Sequence, residues 1–128
     1  MQTYPLTLDS TGHLGAGRSD TFDLIDLGNF SSLSAAAAVA LTEPRQLSMA
    51  HAATKKAGVT THRGKLRLDM TKSDAVYGEQ VLSGYLVLSR PGIEQTAIVE
   101  ADVLNLVGQL IDFLTDSARM AKFLNREG

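Results

Sequence analysis

Hydrophobic and polar positions alternate with period two through the middle of the chain and switch to a helical period near its end. From Val59 to Met70 the alternation is clean. Arg63, Lys65, Arg67 and Asp69 point one way, and Leu66, Leu68 and Met70 the other. Residues 79–89 place Val81, Ser83, Tyr85, Val87 and Ser89 on one face, with Leu82, Gly84, Leu86 and Leu88 opposite. Residues 46–54 set Leu47, Met49, His51 and Ala53 against Gln46, Ser48, Ala50, Ala52 and Thr54. These are three expected strands. Turns are expected at Lys55-Lys56-Ala57-Gly58 and at Ser73-Asp74, with another break at Gly78, and Arg90-Pro91-Gly92 stops the last strand.

Upstream the pattern is weaker. Residues 4–8 read as a short strand, with Pro5 tolerable near its start or on an edge. Asp9-Ser10-Thr11-Gly12 is turn chemistry, and residues 13–19 form a hairpin return or a loop. Phe22, Leu24 and Leu27 alternate loosely with Asp23 and Asp26. Residues 31–41 read two ways: four consecutive alanines favour helix, while Ser31, Ser32 and Ser34 do not, and Pro44 ends the segment.

After Gly92, Val103, Leu106, Val107, Leu110, Ile111 and Leu114 recur at helical spacing. Leu104 and Phe113 widen that apolar face, so the helix is expected to be covered on more than one side. Glu94 or Thr96 can start it, and Thr115-Asp116-Ser117 interrupts it. Asp116 or Ser117 can cap a short second helix through Met120, Phe123 and Leu124, with Arg119, Lys122 and Arg126 toward its C-terminal end. Strands followed by two helices indicate an α+β fold, with the helices laid on one face of an antiparallel meander. One domain is expected over residues 1–128, with the sheet over about 1–92 and the helices over about 94–125.

Composition adds three constraints. With 44% apolar and 20% charged residues the chain is an ordinary globular one. Aromatics are only 5%, so the core is aliphatic and of a kind that a partner can complete. The absence of cysteine excludes disulfides, thiolate metal sites and a cysteine nucleophile. Residues 1–5 lack a basic region followed by an apolar stretch, so no signal peptide is expected. No apolar run approaches the ~18 residues a membrane helix needs.

Net charge is −2, but the charges are segregated. Residues 45–72 hold Arg45, Lys55, Lys56, Arg63, Lys65, Arg67 and Lys72 against the single acid Asp69, a local balance of seven minus one, or +6. Among candidate chemistries, Gly12-His13-Leu14-Gly15-Ala16-Gly17-Arg18-Ser19 spells a phosphate-loop pattern with Arg18 where lysine belongs. A small nucleotide-binding enzyme or regulator using that loop is the rival reading, although the acidic Asp20-Thr21-Phe22-Asp23 follows where a helix should begin. His13, His51 and His62 have no metal-ligand spacing, and no serine lies in a nucleophile elbow. Asp23 and Asp26 read as a solvated face rather than an acid–base pair. No catalytic residue, metal or cofactor is expected.

The stripe Arg63, Lys65, Arg67 is different in kind. Three cations at period two stand on one side of a strand whose other side is apolar. If the register permits, neighbouring strands add Ser48, Thr54, Lys56, Ser83 and Tyr85 to that face. Cations, hydroxyls and one aromatic suit a phosphate backbone with an unpaired, stacked base. A single-stranded nucleic-acid-binding module shares that face, as does an ordinary solvated sheet.

The order of these features resembles the coat proteins of small single-stranded RNA bacteriophages, the levivirus group. The resemblance rests on Leu47-Ser48-Met49-Ala50 through Arg63-Gly64-Lys65-Leu66-Arg67-Leu68-Asp69, on Tyr85-Leu86-Val87-Leu88, and on Val103-Leu104-Asn105-Leu106-Val107 through Leu124. It covers roughly residues 45–125 and is one of pattern and order rather than of an invariant motif. It implies an interlocked homodimer with a continuous sheet, closed into an icosahedral shell in the virion, made in the bacterial cytoplasm. It implies RNA contacts from Arg63, Lys65, Arg67, Lys56, Thr54, Ser48, Ser83 and Tyr85, and repression of translation by binding an RNA hairpin. Val103, Leu106, Val107, Leu110, Phe113, Leu114 and Phe123 would form the dimer interface. The resemblance also implies that residues 31–41 are a strand. Ala50 and Ala52 depart from the polar or basic residues the group carries there.

Overall fold

The computed structural model describes residues 4–37, 43–92 and 97–126. Strands β1 (Leu6–Asp9), β2 (Ser19–Leu27), β3 (Ser31–Ala36), β4 (Arg45–Lys56), β5 (Val59–Asp74) and β6 (Gly78–Pro91) form one sheet in chain order, every neighbour antiparallel. Helices α1 (Glu100–Thr115) and α2 (Ser117–Leu124) follow. This is the expected α+β order, with β1 and β2 as the N-terminal hairpin.

The weak pattern of the first strands has local causes. In β2 the register shifts between Leu24 and Asp26, so a bulge resets the alternation and brings Leu27, opposite Ser32, onto the face of Phe22 and Leu24. In β3 the small residues reflect packing rather than helix propensity. Ala36 lies opposite Phe22 and Ser34 opposite Leu47, small beside large. Phe22 and Leu47 are buried, and Leu6, Met49 and Leu68 pack against them. Ser34 is fully buried, and its hydroxyl donates to the Leu47 carbonyl at 3.2 Å, so the polar group is satisfied. The strand ends at Ala36; residues 38–42, the rest of that alanine-rich segment, lie outside the described residues.

Two turns begin later than their sequence signals. Lys55 and Lys56 are still paired in β4, and only Ala57 (φ 52°) and Gly58 (φ 79°) turn the chain. Two consecutive left-handed residues match the right-handed twist of the strands they join. Ser73 and Asp74 likewise belong to β5. The Asp74 carboxylate accepts the N–H groups of Val76 at 2.7 Å and Tyr77 at 2.8 Å, closing the turn to β6. Those backbone donors lower its pKa below the ordinary 3.8. A depressed carboxyl pKa stabilises the fold above the unfolded value and is lost as pH falls through the folded one. Amide protection at Val76 and Tyr77, corrected for intrinsic rates, should therefore hold at pH 5 and fall away below the ordinary carboxyl range. An Asp74→Ala variant should lack that protection at every pH, as read by hydrogen exchange.

Glu94 and Thr96, the two candidate starts of the first helix, lie outside the described residues. The helix itself begins at Glu100, where Asp102 reaches back to accept the Val99 N–H at 3.0 Å. Glu100 and Asp102 also place negative charge in the first turn. Asp116 separates the helices and caps the second, accepting from the N–H of Ala118 at 3.0 Å and Arg119 at 3.1 Å. Replacing Asp116 by Ala should cost about 1 kcal/mol, read as a lowered midpoint in thermal unfolding.

One expectation is corrected. The helices do not lie across the sheet of their own chain: α1 packs on α2, and no residue of either helix is buried. Leu104, Leu106, Ile111, Phe113, Leu114, Phe123 and Leu124 remain exposed. Element order specifies that an apolar helix needs an apolar surface, not which chain supplies it.

Candidate nucleic-acid interface

Cross-strand partners share a face of the sheet, so the register decides which side chains meet. Arg63 lies opposite Ala52 and Ser89, Lys65 opposite Ala50 and Val87, and Arg67 opposite Ser48 and Tyr85. Asp69 lies opposite Gln46 and Ser83, Thr61 opposite Thr54, and Val59 opposite Lys56. All eight residues expected on the basic face, Ser48, Thr54, Lys56, Arg63, Lys65, Arg67, Ser83 and Tyr85, therefore share one side of β4–β6. The other side carries Leu47, Met49, His51, Leu66, Leu68, Met70, Leu82, Leu86 and Leu88.

The cations are held differently. Arg63 Nε donates to Ser89 Oγ at 3.3 Å. Lys65 Nζ sits 5.2 Å from the centre of the Tyr85 ring, within cation–π range, and that ring is 64% exposed. Arg67 Nε donates to Asp69 Oδ1 at 2.9 Å. The Ser83 hydroxyl donates to the same oxygen, and Arg67 Nη2 reaches Ser83 Oγ at 3.4 Å. The Ser83 hydroxyl first, then the Arg67 guanidinium and the charge of Lys65, lower the Asp69 pKa and keep it ionised. Ala50 and Ala52 flank Lys65 and Arg63 with small side chains that leave the cations open to solvent.

Asp69 and Ser89 belong to this face although neither stands out as a site residue in the sequence. Their parity with Arg67 and Ser83 is the available signal. What it does not show is which hydroxyl meets which charge, because that depends on the offset between β5 and β6.

The glycine-rich segment does not form a phosphate loop. It joins two antiparallel strands, and β2 follows it rather than a helix. Gly12, Gly15 and Gly17 take positive φ, which fits a reversing loop. The Arg18 guanidinium is held by Asp20 at 2.8 Å, and Arg45 approaches the same carboxylate at 3.0 Å.

No family model and no curated protein matches the chain. Solved structures do. The coat protein of bacteriophage EMS014 superposes with a TM-score of 0.69 at 16% identity, covering 99% of this chain and 98% of that one. The virus-like particle subunit of Wenzhou levi-like virus 4 gives 0.66 at 15% identity, covering 91% and 82%. That of bacteriophage AVE015 gives 0.57 at 9% identity, covering 88% and 74%. The chain has the levi-like coat-protein fold.

Within the coat-protein fold a second surface stands apart from the basic face. An apolar trough on the opposite side of the sheet is lined by Leu6, Leu47, Met49, Leu66, Leu86 and Leu88, with a volume of about 550 Å³. Val103, Leu106, Val107, Leu110, Phe113, Leu114 and Phe123, the residues expected at a dimer interface, lie on α1 and α2. Val103 and Val107 are half-buried and the other five are exposed in the single chain. No helix residue lines the trough; only the start of α1 approaches its end, where Val103 and Leu106 face His51, Gly64 and Leu88 across a wider cavity. Edge strand β6, of 14 residues, pairs with β5 on one side and has no strand partner on the other among the described residues.

Proposed function

We propose that this protein is the coat-protein subunit of a single-stranded RNA bacteriophage. It dimerises, closes into an icosahedral shell and packages genomic RNA against the basic face of β4–β6. The observation that carries this reading is the conjunction of the coat-protein fold over nearly the whole chain with a cationic, hydroxyl-lined sheet face. The protein acts by binding and assembly, not by catalysis, and its place is the virion.

The uncovered surfaces support dimerisation. Two chains pair their β6 edges into one continuous sheet, and the helices of each reach over the apolar trough of the other. Burial in this arrangement is reciprocal, as two-fold symmetry requires. The fold leaves the opposite face free, and there the three cations neutralise phosphates while Tyr85 stacks an unpaired base. The same face binds an RNA hairpin and so represses translation.

Size-exclusion chromatography of recombinant protein, with absorbance at 260 and 280 nm and negative-stain microscopy of the excluded peak, tests the reading. Uniform round particles holding nuclease-protected RNA are expected. A salt-independent monomer or dimer free of nucleic acid would overturn it. A dimer that binds single-stranded RNA but never closes into particles would instead favour a nucleic-acid-binding module on this fold.

A further inference from the structure

Asp69 stands inside the cationic face, where an acid opposes the binding of phosphate. The register places it opposite Ser83 and two residues along β5 from Arg67, on the same side. Its Oδ1 accepts from Arg67 Nε at 2.9 Å and from the Ser83 hydroxyl. To a guanidinium and a hydroxyl, a carboxylate oxygen and a phosphate oxygen are equivalent: each is an anionic acceptor for charge-assisted hydrogen bonds. The Arg67–Ser83 pair is therefore the kind of seat that holds a phosphate oxygen, occupied from within the chain. Among the described residues neither Arg63 nor Lys65 has a carboxylate at ion-pair distance. Arg63 holds the neutral Ser89, and Lys65 rests over Tyr85.

We propose that Asp69 is an internal phosphate mimic that latches the Arg67–Ser83 seat. This rests on the reading of the face as an RNA surface and adds a residue that sets its affinity. An RNA phosphate reaches Arg67 only by displacing the carboxylate, and the carboxylate repels the phosphate as it approaches. Arg63 and Lys65 bind first, and Arg67 joins only when they hold the backbone close enough to compete. Two cations thus act freely and the third conditionally, so short or loosely held strands are released while a strand spanning all three is retained.

Asp69→Asn keeps an acceptor for Arg67 and Ser83 but removes the charge. The test is binding of a fluorescein-labelled dodecauridylate by the full-length protein, titrated from low to high salt. Asp69→Asn is expected to tighten binding about fivefold and to steepen the slope of log K against log salt by about 0.7, the increment for one more phosphate on a single strand. Glu79→Gln makes the same charge change on the same face, opposite Ser73 and away from the seat. It is expected to change affinity less than about twofold and to leave the slope alone. Equal effects of the two variants would reduce Asp69 to a general contributor of charge and overturn the proposal. Weaker binding by Asp69→Asn would do the same, by making Asp69 a support for Arg67.

A second comparison leaves Asp69 in place. Arg67→Gln should weaken wild-type binding less than Arg63→Gln, because Arg67 is already engaged; an equal or greater loss would count against the latch. If the wild type shows no salt-dependent binding at all, the RNA reading falls and the latch with it. Salt-dependent binding that is indifferent to Asp69→Asn removes the latch alone.

Discussion

Replacing Arg63, Lys65 and Arg67 together by Ala should leave particles that form but are depleted of RNA. The three side chains project from one face of β5, away from the apolar side of the sheet. Arg63 is exposed, and the Arg67 side chain retains 40% of its accessibility, so their loss removes little packing. The RNA term is different. Each phosphate neutralised on a single strand contributes about 0.7 to the salt slope, which at 0.1 M salt corresponds to roughly 1 kcal/mol of counterion release per contact. The two free contacts of Arg63 and Lys65 amount to about 25-fold in affinity and about 1.4 in slope, rising to about a hundredfold and about 2 where Arg67 joins them. The ratio of absorbance at 260 to 280 nm in purified particles should fall, and nuclease-protected RNA with it. Particles with unchanged RNA would mean that this face does not line the interior. Asp69 complicates only the share due to Arg67, since that cation is already paired with it.

Converting Leu106 and Leu110 together to Asp should stop assembly at the monomer. They lie one helical turn apart on α1, at 53% and 38% exposure, and touch no core of their own chain. In an isolated chain the change is almost free, so α1 should still form and the sheet should remain folded. In a symmetric dimer each substitution occurs twice. Removing four buried leucines, at about 1.5 kcal/mol each as a lower bound, costs about 6 kcal/mol and weakens the dimer by about 10⁴-fold or more. Burying the introduced carboxylates would cost further. Sedimentation velocity should show a small folded species with native circular dichroism and no particle. Particles of normal size from this variant would show that the apolar helix face is not what joins the copies.

The two variants separate the two surfaces of the sheet. The first strips charge from the side proposed to meet RNA and is expected to spare assembly. The second blocks assembly through the helices that fail to cover their own sheet. A chain that lost both functions in either variant would not be two-sided in this way.

Much of this design is legible in the amino-acid sequence. Alternation in residues 46–54, 59–70 and 79–89 assigns each side chain to a face, because successive residues of a strand must point in opposite directions. Helical spacing marks α1, and Asp116 marks its end. The segregation of seven bases into residues 45–72 identifies the charged surface. Misleading signals arise where local composition serves a distant partner. Ala36 and Ser34 look like helix or loop residues because they are small, yet they are small to fit beside Phe22 and Leu47. The glycines before Ser19 mimic a nucleotide loop because a reversing hairpin and a phosphate cradle both need positive φ.

Periodicity, and with it the content of each face and the order of the elements, is thus written in the sequence alone. Register is not. That Tyr85 stands opposite Arg67, that Ser83 meets Asp69 and that a bulge shifts β2 are settled only in the folded chain. So is the fact that the apolar helices leave their own sheet uncovered. The physical reason is the range of the forces. Alternation is a property of adjacent residues, whereas pairing offsets and the owner of an apolar surface depend on contacts between segments far apart in the chain, or between chains.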